Sequence, residues 1–242
     1  MNRNKITPNA NLRAEWMMEA LRLRLNEIEK TEALTRMDEV ISNEITGKVQ
    51  KQKSLGYLKQ VWILPHPTFP DLQQSGIEIF RQSTDRQTAY LLSYFMTIAT
   101  FPFTRCVAEA CGQLHRLQGA VKMEQLKRKV AAIYGERERT LRGVRYVIYL
   151  LNSLGIVSAP EKKGFYQAGK FNLNSKELAA FAVKAILCSL DKNDGMGRSE
   201  LETHPIFFAF DGQKIVTEAL QVSSITLSRE SMNRDIVSTF QK

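Results

Sequence analysis

Residues 103–167 read FTRCVAEACGQLHRLQGAVKMEQLKRKVAAIYGERERTLRGVRYVIYLLNSLGIVSAPEKKGFYQ, and they hold the most informative order of elements in the chain. Apolar spacing predicts helices over 103–117, 123–134 and 137–154, and strand-like pieces at 119–121, 156–158 and 165–167. Gly135 and Gly155 follow the second and third helices, where glycine commonly ends a helix. The order helix, strand, helix, helix, strand, strand is typical of a winged helix-turn-helix, with the basic loop 159–164 at the tip of the wing.

The flanking regions have mainly helical periodicity. On the N-terminal side we expect helices over 9–30, 71–82 and 84–100, and another that contains Leu34 to Ile45 and stops near Gly47. On the C-terminal side we expect helices over 176–190 and 213–221, a loop over 191–197 and a weakly patterned end at 225–240. We therefore predict a mainly α protein in three parts. These are a helical domain (1–100), a winged helix-turn-helix with a small β-hairpin wing (101–170) and a mainly helical C-terminal extension (171–242).

Composition excludes several classes of protein. The chain has 242 residues, 43% of them hydrophobic, which is enough to bury a sizeable core without disulfides. Three cysteines without CxxC spacing argue against a secreted disulfide scaffold and a zinc ribbon. The first twenty residues lack the apolar core of a signal peptide. The apolar stretch 89–103 is broken by Pro102 and shorter than the ~20 residues of a membrane span. We expect a soluble, cytoplasmic protein with no membrane partner.

Positive charge is concentrated in the central segment. The formal net charge is +9, with a pI of about 9.5. Between Arg105 and Lys170 there are thirteen basic and five acidic residues, an excess of eight in about a quarter of the chain. A shorter basic patch, Lys48, Lys51 and Lys53, lies in the N-terminal region. Such concentration indicates a polyanionic partner, with nucleic acid the first to consider.

The third predicted helix separates apolar from basic side chains. At 100° per residue its apolar face carries Leu141, Val144, Val147, Ile148, Leu151 and Leu154. The opposite face carries guanidinium groups and phenols that suit phosphates and guanine edges. The predicted DNA-binding residues are Arg128, Lys129, Arg137, Arg139, Arg142, Arg145, Tyr146, Tyr149, Lys162 and Lys163. Gly143 within this helix indicates either close packing or neutral drift, since glycine costs about 1 kcal/mol relative to alanine there.

No residue set predicts catalysis. The three histidines are scattered, and Glu136 and Glu138 are not marked as a metal-binding pair. The loop 191–202 has Met196 where a calcium loop needs glycine, which favours an ordinary turn. Walker A, GxGxxG, GxSxG and HExxH sequences are missing from the chain. We predict no enzyme, no catalytic residue, no metal and no cofactor.

Residues 93–157 carry a family resemblance. Their features are FPF at 101–103 ahead of a long helix, GER at 135–137, the arginine-rich start of the next helix and its LGIV exit at 154–157. In these features the segment resembles BrxA, the family of small helical accessory proteins of BREX phage-defence islands. The resemblance implies a non-enzymatic protein that binds double-stranded DNA and acts beside other phage-defence proteins. It also implies an all-helical N-terminal part packed on the winged helix, and it supplies no DNA-contact motif.

Three other interpretations stay open. The basic face is a solvated surface, or it docks on an acidic protein partner while the N-terminal half serves as a scaffold. Alternatively, the chain is a dimeric transcriptional regulator that binds a palindromic operator. RNA binding is a lesser option, because the aromatic residues do not form a stacking platform.

Overall fold

The computed structural model describes residues 6–159, 164–173, 175–192, 194–231 and 234–239. Over these ranges the chain is mainly helical, with two small three-stranded antiparallel sheets. The N-terminal helices are α1 (Ala14–Leu25), α2 (Lys30–Ser42), α3 (Lys48–Leu58), α4 (Pro70–Gln82) and α5 (Arg86–Thr100). A π-helical turn, Lys59–Ile63, extends α3.

The central segment alternates helices and short strands. Its elements are α6 (Pro102–Gln118), β1 (Val121–Lys122), α7 (Met123–Tyr134), α8 (Glu138–Ser153), β2 (Val157–Ser158) and β3 (Phe165–Ala168). Strand β3 lies between β1 and β2 and is antiparallel to both. Gly135 (φ +84°) and Gly155 (φ +75°) follow α7 and α8 in conformations that favour glycine, as the sequence predicted.

The C-terminal region packs three further helices and a second sheet. Its elements are α9 (Lys176–Leu190), β4 (Met196–Gly197), α10 (Arg198–Glu202), α11 (Gly212–Ala219), β5 (Ile225–Ser231) and β6 (Arg234–Thr239). Strand β6 pairs with both β4 and β5. Our expectation of a mainly helical C-terminal extension does not include this sheet, because the alternating pattern of its strands is weak in the sequence. Among the described residues of the hairpin, Ile225 and Val237 are buried hydrophobic residues, whereas Leu227 is 45% exposed.

Helix α5 lies at the centre of the molecule. Every side chain over 89–100 is buried, and the helix packs against α1, α6 and α9. The Tyr94 hydroxyl donates to the Ile206 carbonyl (2.9 Å), and Trp62 Nε1 donates to Ser93 Oγ (3.0 Å). These bonds satisfy the polar atoms of side chains that are otherwise packed in the core.

The structure confirms that the apolar stretch from residue 89 onward is a buried helix. Within the described ranges no single helix has both the length and the apolar character needed to cross a membrane. Helices α5 and α6 meet that criterion only as a pair, and the pair is bent by 113°.

Residues 6–13, the first described residues, form neither a helix nor a strand, with a bend at Ala10. Our expectation of a helix from Asn9 is wrong, because the Asn9 side chain accepts a hydrogen bond from Tyr57 Oη (2.6 Å) and α1 begins only at Ala14. We call residues 6–13 the N-terminal strap. At its start Ile6 packs on Gly143, and just beyond its end the Ala14 amide donates to Ser153 Oγ (3.1 Å). The strap therefore attaches the N-terminal helices along α8.

Candidate nucleic-acid interface

Helix α8 has one buried and one exposed face. Val144, Val147, Ile148 and Leu151 are buried, as predicted, together with Leu154 beyond its end, whereas Leu141 is only partly buried. Side chains at 138, 142, 145 and 149 are exposed and follow one another at i, i+3 and i+4 spacing. We call this set the α8 ridge: Glu138, Arg142, Arg145 and Tyr149.

The ridge is basic but carries its own carboxylate. Arg142 forms an ion pair with Glu138, one turn earlier on the same helix. Arg145 is exposed and, among the described residues, forms no ion pair. Arg137 and Arg139 are also exposed at the start of α8, and neither has a carboxylate partner within the described ranges. The start of α8 therefore presents four guanidinium groups, of which one is neutralised.

The side of α8 that carries Arg139 and Tyr146 lies against α3. Gln50 Nε2 donates to the Tyr146 hydroxyl (2.8 Å), and this bond links positions 96 residues apart. Burial raises the pKa of Tyr57, while the nearby Arg139 guanidinium acts in the opposite direction. Gln50 and Tyr57 both belong to α3. Tyr146, predicted to contact DNA, is thus half-buried against the N-terminal region with its hydroxyl already hydrogen-bonded.

Tyr149 also contacts the N-terminal region. The guanidinium carbon of Arg13 lies 5.9 Å from the centre of the Tyr149 ring and 5.6 Å from that of Trp16. Arg13 is held there by an ion pair with Glu44. Tyr149 remains 40% exposed, so it can contact a ligand with the part of the ring that Arg13 leaves open.

Helix α7 borders the opposite side of the ridge. Arg128 is exposed, and it lies with Arg145 close to Glu124. A hydrogen bond from Lys127 Nζ (2.5 Å) lowers the pKa of Glu124, and the two arginines add to that effect. The structure therefore brings Arg128 and Arg145 together across α7 and α8, around one acidic group.

Lys129 lies on a different side of α7. It is half-buried and close enough to Cys106 of α6 to oppose the effect of burial, which raises the pKa of that thiol to about 11. Lys129 is therefore separated from the α8 ridge, although the linear sequence groups it with Arg128.

The structure describes part of the predicted wing. Strands β2 and β3 pair with Val157 opposite Ala168, as expected of a hairpin. Lys162 and Lys163, proposed for its tip, lie outside the described residues. Lys122 was not among the predicted contacts; it is exposed on β1, with its ammonium 5.3 Å from the centre of the Phe165 ring.

The histidines have structural surroundings. His66 is buried, and its Nδ1 accepts hydrogen bonds from the amides of Thr68 (3.1 Å) and Phe69 (2.9 Å). His204 Nδ1 accepts from the amide of Ile206 (3.4 Å), which caps a short 3-10 turn. Within the described residues no three His, Cys, Asp or Glu side chains lie close enough to hold a metal ion.

Sequence reasoning had no signal for the contacts that tie α8 to α3 and to Arg13, because these pairs are distant in the chain and involve ordinary polar residues. Of the predicted residues, Arg128 and Arg145 lie together near Glu124. Arg137, Arg139 and Arg142 are exposed at the start of α8 and project from different sides of that helix. Guanidinium groups on neighbouring helices suit phosphate oxygens. No family model, curated protein or solved structure matches this chain.

Proposed function

We propose that residues 102–168 form a winged helix-turn-helix and that the protein binds double-stranded DNA through it. The order α6, β1, α7, α8, β2, β3, with β3 central in the sheet, supports the winged-helix assignment. In helix-turn-helix proteins the second helix of the pair faces the major groove. In the proposed assignment α8 is that second helix.

The observation that carries the proposal is the grouping of exposed arginines at the start of α8. Arg137, Arg139, Arg142 and Arg145 lie within nine residues, and Arg128 adds a fifth from α7. Arginine binds phosphate with two parallel hydrogen bonds and keeps its charge at every physiological pH. Contacts to the sugar–phosphate backbone therefore dominate, with modest sequence preference and strong salt dependence.

The proposed role is that of an accessory DNA-binding protein without catalytic activity of its own. The resemblance of residues 93–157 to BrxA proteins supports a place in a bacterial or archaeal phage-defence system beside other defence proteins. The alternatives are a scaffold that docks on acidic partners and a dimeric transcriptional regulator. Exposed Ile133, at 69% on α7 and four residues before Arg137, is the observation that favours a protein partner.

The test compares duplex binding by three proteins. Fluorescence anisotropy with a labelled 30-mer duplex and with its single strand, over a salt series, is measured for the wild type and for Arg139→Ala/Arg142→Ala/Arg145→Ala. The matched control, Arg22→Ala/Arg36→Ala/Arg81→Ala, removes three exposed arginines from α1, α2 and α4. The two triple variants lose the same charge, so that only the position of the charge differs.

We expect tight, salt-sensitive binding to duplex by the wild type and the control. The α8 variant should lose about 2 to 3 units from the slope of log K against log salt, since each lost phosphate contact contributes about 0.9. Equal loss in both triple variants would mean that only net charge matters. Failure of the wild type to bind any duplex, with its fold intact, would overturn the proposal in favour of a protein partner. Light scattering of the free protein tests the dimeric-regulator alternative, which requires two-fold symmetry.

A further inference from the structure

The basic patch in the N-terminal region has no role in the function proposed above. Between Glu44 and Asp71 the sequence contains four lysines, at 48, 51, 53 and 59, and no acidic residue. Two of these lysines are unsuited to binding a ligand. Lys51 Nζ is paired with Asp38 (2.8 Å), and Lys59 is partly buried. Lys48 and Lys53 are exposed and, within the described ranges, form no ion pair.

Helix α3, which carries these lysines, is joined to α8 by a side-chain hydrogen bond. Gln50 is hydrogen-bonded to Tyr146, and Tyr57, two turns further along α3, lies near Arg139, two turns back along α8. The two helices meet through side-chain tips. The exposed surface of α3 therefore lies near the side of α8 that carries Tyr146.

Lys53 lies on the part of α3 nearest to this junction. Positions 50, 53 and 57 follow one another at i, i+3 and i+4 spacing and so occupy one side of the helix. Gln50 and Tyr57 contact or approach α8 from that side, while Lys53 is exposed between them. Lys48, at the first position of α3, is two residues before Gln50 and therefore lies on another side of the helix.

The two flanks of α8 differ in charge. On the α7 flank Glu124 lies among Lys127, Arg128 and Arg145, and on the ridge Glu138 neutralises Arg142. On the α3 flank no acidic residue occurs between residues 45 and 70. A phosphate strand that approaches α8 on this side meets Lys53, while the nearby carboxylates Asp38 and Glu44 are each paired with another cation, Lys51 and Arg13.

We propose that α3 forms a second part of the DNA interface, in which Lys53 binds a phosphate of the strand that borders the groove facing α8, and Lys48 adds positive charge from the end of the helix. This inference rests on the proposed function. A major groove is about 12 Å wide, close to the diameter of one helix with its side chains. When α8 faces the groove, a helix alongside it lies over the sugar–phosphate strand at the edge. The N-terminal helices thereby contribute directly to binding.

The test uses the full chain with Lys48→Gln/Lys53→Gln. Its matched control is Lys176→Gln/Lys214→Gln, which removes two exposed lysines from α9 and α11. Duplex affinity and its salt slope are measured for both variants, for the wild type and for the α8 triple-arginine variant. Circular dichroism and thermal unfolding check that each variant is folded.

We expect the α3 variant to bind the duplex roughly tenfold more weakly at 0.1 M salt, with a salt slope reduced by about 0.9 for the phosphate contact of Lys53, while the control matches the wild type. Tyr146→Phe removes the hydroxyl that joins α3 to α8. In that background Lys53→Gln should have a smaller effect than in the wild type.

The results separate this inference from the function on which it rests. If the wild type binds duplex and the α8 variant is weakened, but the α3 variant equals its control, then only the role of α3 is overturned. If the wild type does not bind duplex, the proposed function fails and the α3 interface fails with it. Equal weakening by the α3 variant and its control would also overturn the role of α3, because net charge would then explain both.

Discussion

Ile6 and Gly143 are in contact so close that no side chain fits between them. A Cβ at position 143 would lie 2.5 Å from Ile6 Cγ2 and 2.9 Å from Cε1 of the buried Phe103. Glycine is therefore required here by packing of the N-terminal strap and α6 against α8. Of the two readings of Gly143 that the sequence left open, the structure favours close packing.

Gly143→Ala should lower the free energy of unfolding by about 1 to 3 kcal/mol, because overpacking outweighs the gain in helix propensity. The matched control is Gly56→Ala on α3, where a new Cβ would meet nothing within 4 Å. That change should stabilise the protein by up to about 1 kcal/mol. Urea unfolding of both variants gives the comparison, and stabilisation by both would contradict the close packing.

Glu138 limits the positive charge of the α8 ridge. Glu138→Gln removes a carboxylate and releases Arg142, so we expect duplex affinity to rise about threefold to tenfold, with a steeper salt dependence. The control is Glu32→Gln, which breaks an ion pair of the same i, i+4 spacing with Arg36 on α2. Anisotropy titration should find no gain for the control. Unchanged affinity of the Glu138 variant would argue that Arg142 does not contact DNA.

Burial of His204 makes stability depend on pH. Burial lowers the pKa of His204 to about 4, against 6.5 for an unperturbed histidine. The unfolded chain therefore binds a proton in a range where the folded protein does not, and stability falls as pH decreases from about 6.5 to 4. The slope is at most about 1.4 kcal/mol per pH unit. Glu109, whose pKa is raised by burial, acts in the opposite direction.

A comparison of the wild type with His204→Asn separates the effect of His204 on the pH dependence of stability from the effects of Glu109 and His66. Asparagine retains an acceptor for the amide of Ile206 but does not titrate. The stability advantage of the wild type over this variant should be largest near pH 7 and shrink towards pH 4. Denaturant unfolding at several pH values measures it, and two parallel curves would contradict the role of His204.

The three thiols should react slowly in the folded protein. Cys106 and Cys111 are buried, and burial raises the pKa of Cys106 and of the partly exposed Cys188 to about 11. At pH 8 only about one thiol in a thousand is then a thiolate, the reactive form. A colorimetric disulfide reagent should label all three rapidly in guanidinium and slowly without it. Rapid labelling of the native protein would contradict this packing.

The central segment could be predicted from sequence because its signals are local. The apolar positions Val144, Val147, Ile148 and Leu151 recur at helical spacing, and Gly135 and Gly155 mark where α7 and α8 end. Such patterns depend only on neighbours within a few turns. The exposed arginines of α8 follow from the same periodicity.

The remaining features depend on contacts between distant residues. The sequence around Asn9 does not indicate that the Tyr57 hydroxyl donates a hydrogen bond to the Asn9 side chain or that residues 6–13 form no helix. Likewise, the sequence of α8 does not reveal that Gln50 donates a hydrogen bond to the Tyr146 hydroxyl. The C-terminal hairpin escaped prediction for a different reason, since its strands bury too few apolar side chains for alternation to be visible.

The N-terminal strap also determines which fragments of the protein can fold on their own. A fragment limited to residues 101–170 would lose Ile6 and the rest of the strap, which would leave the Gly143 side of α8 open to water. It would also lose the Gln50 and Arg13 contacts of the two tyrosines. We expect such an excised piece to aggregate or to fold poorly, because the smallest autonomous unit that includes α8 must also contain the N-terminal strap.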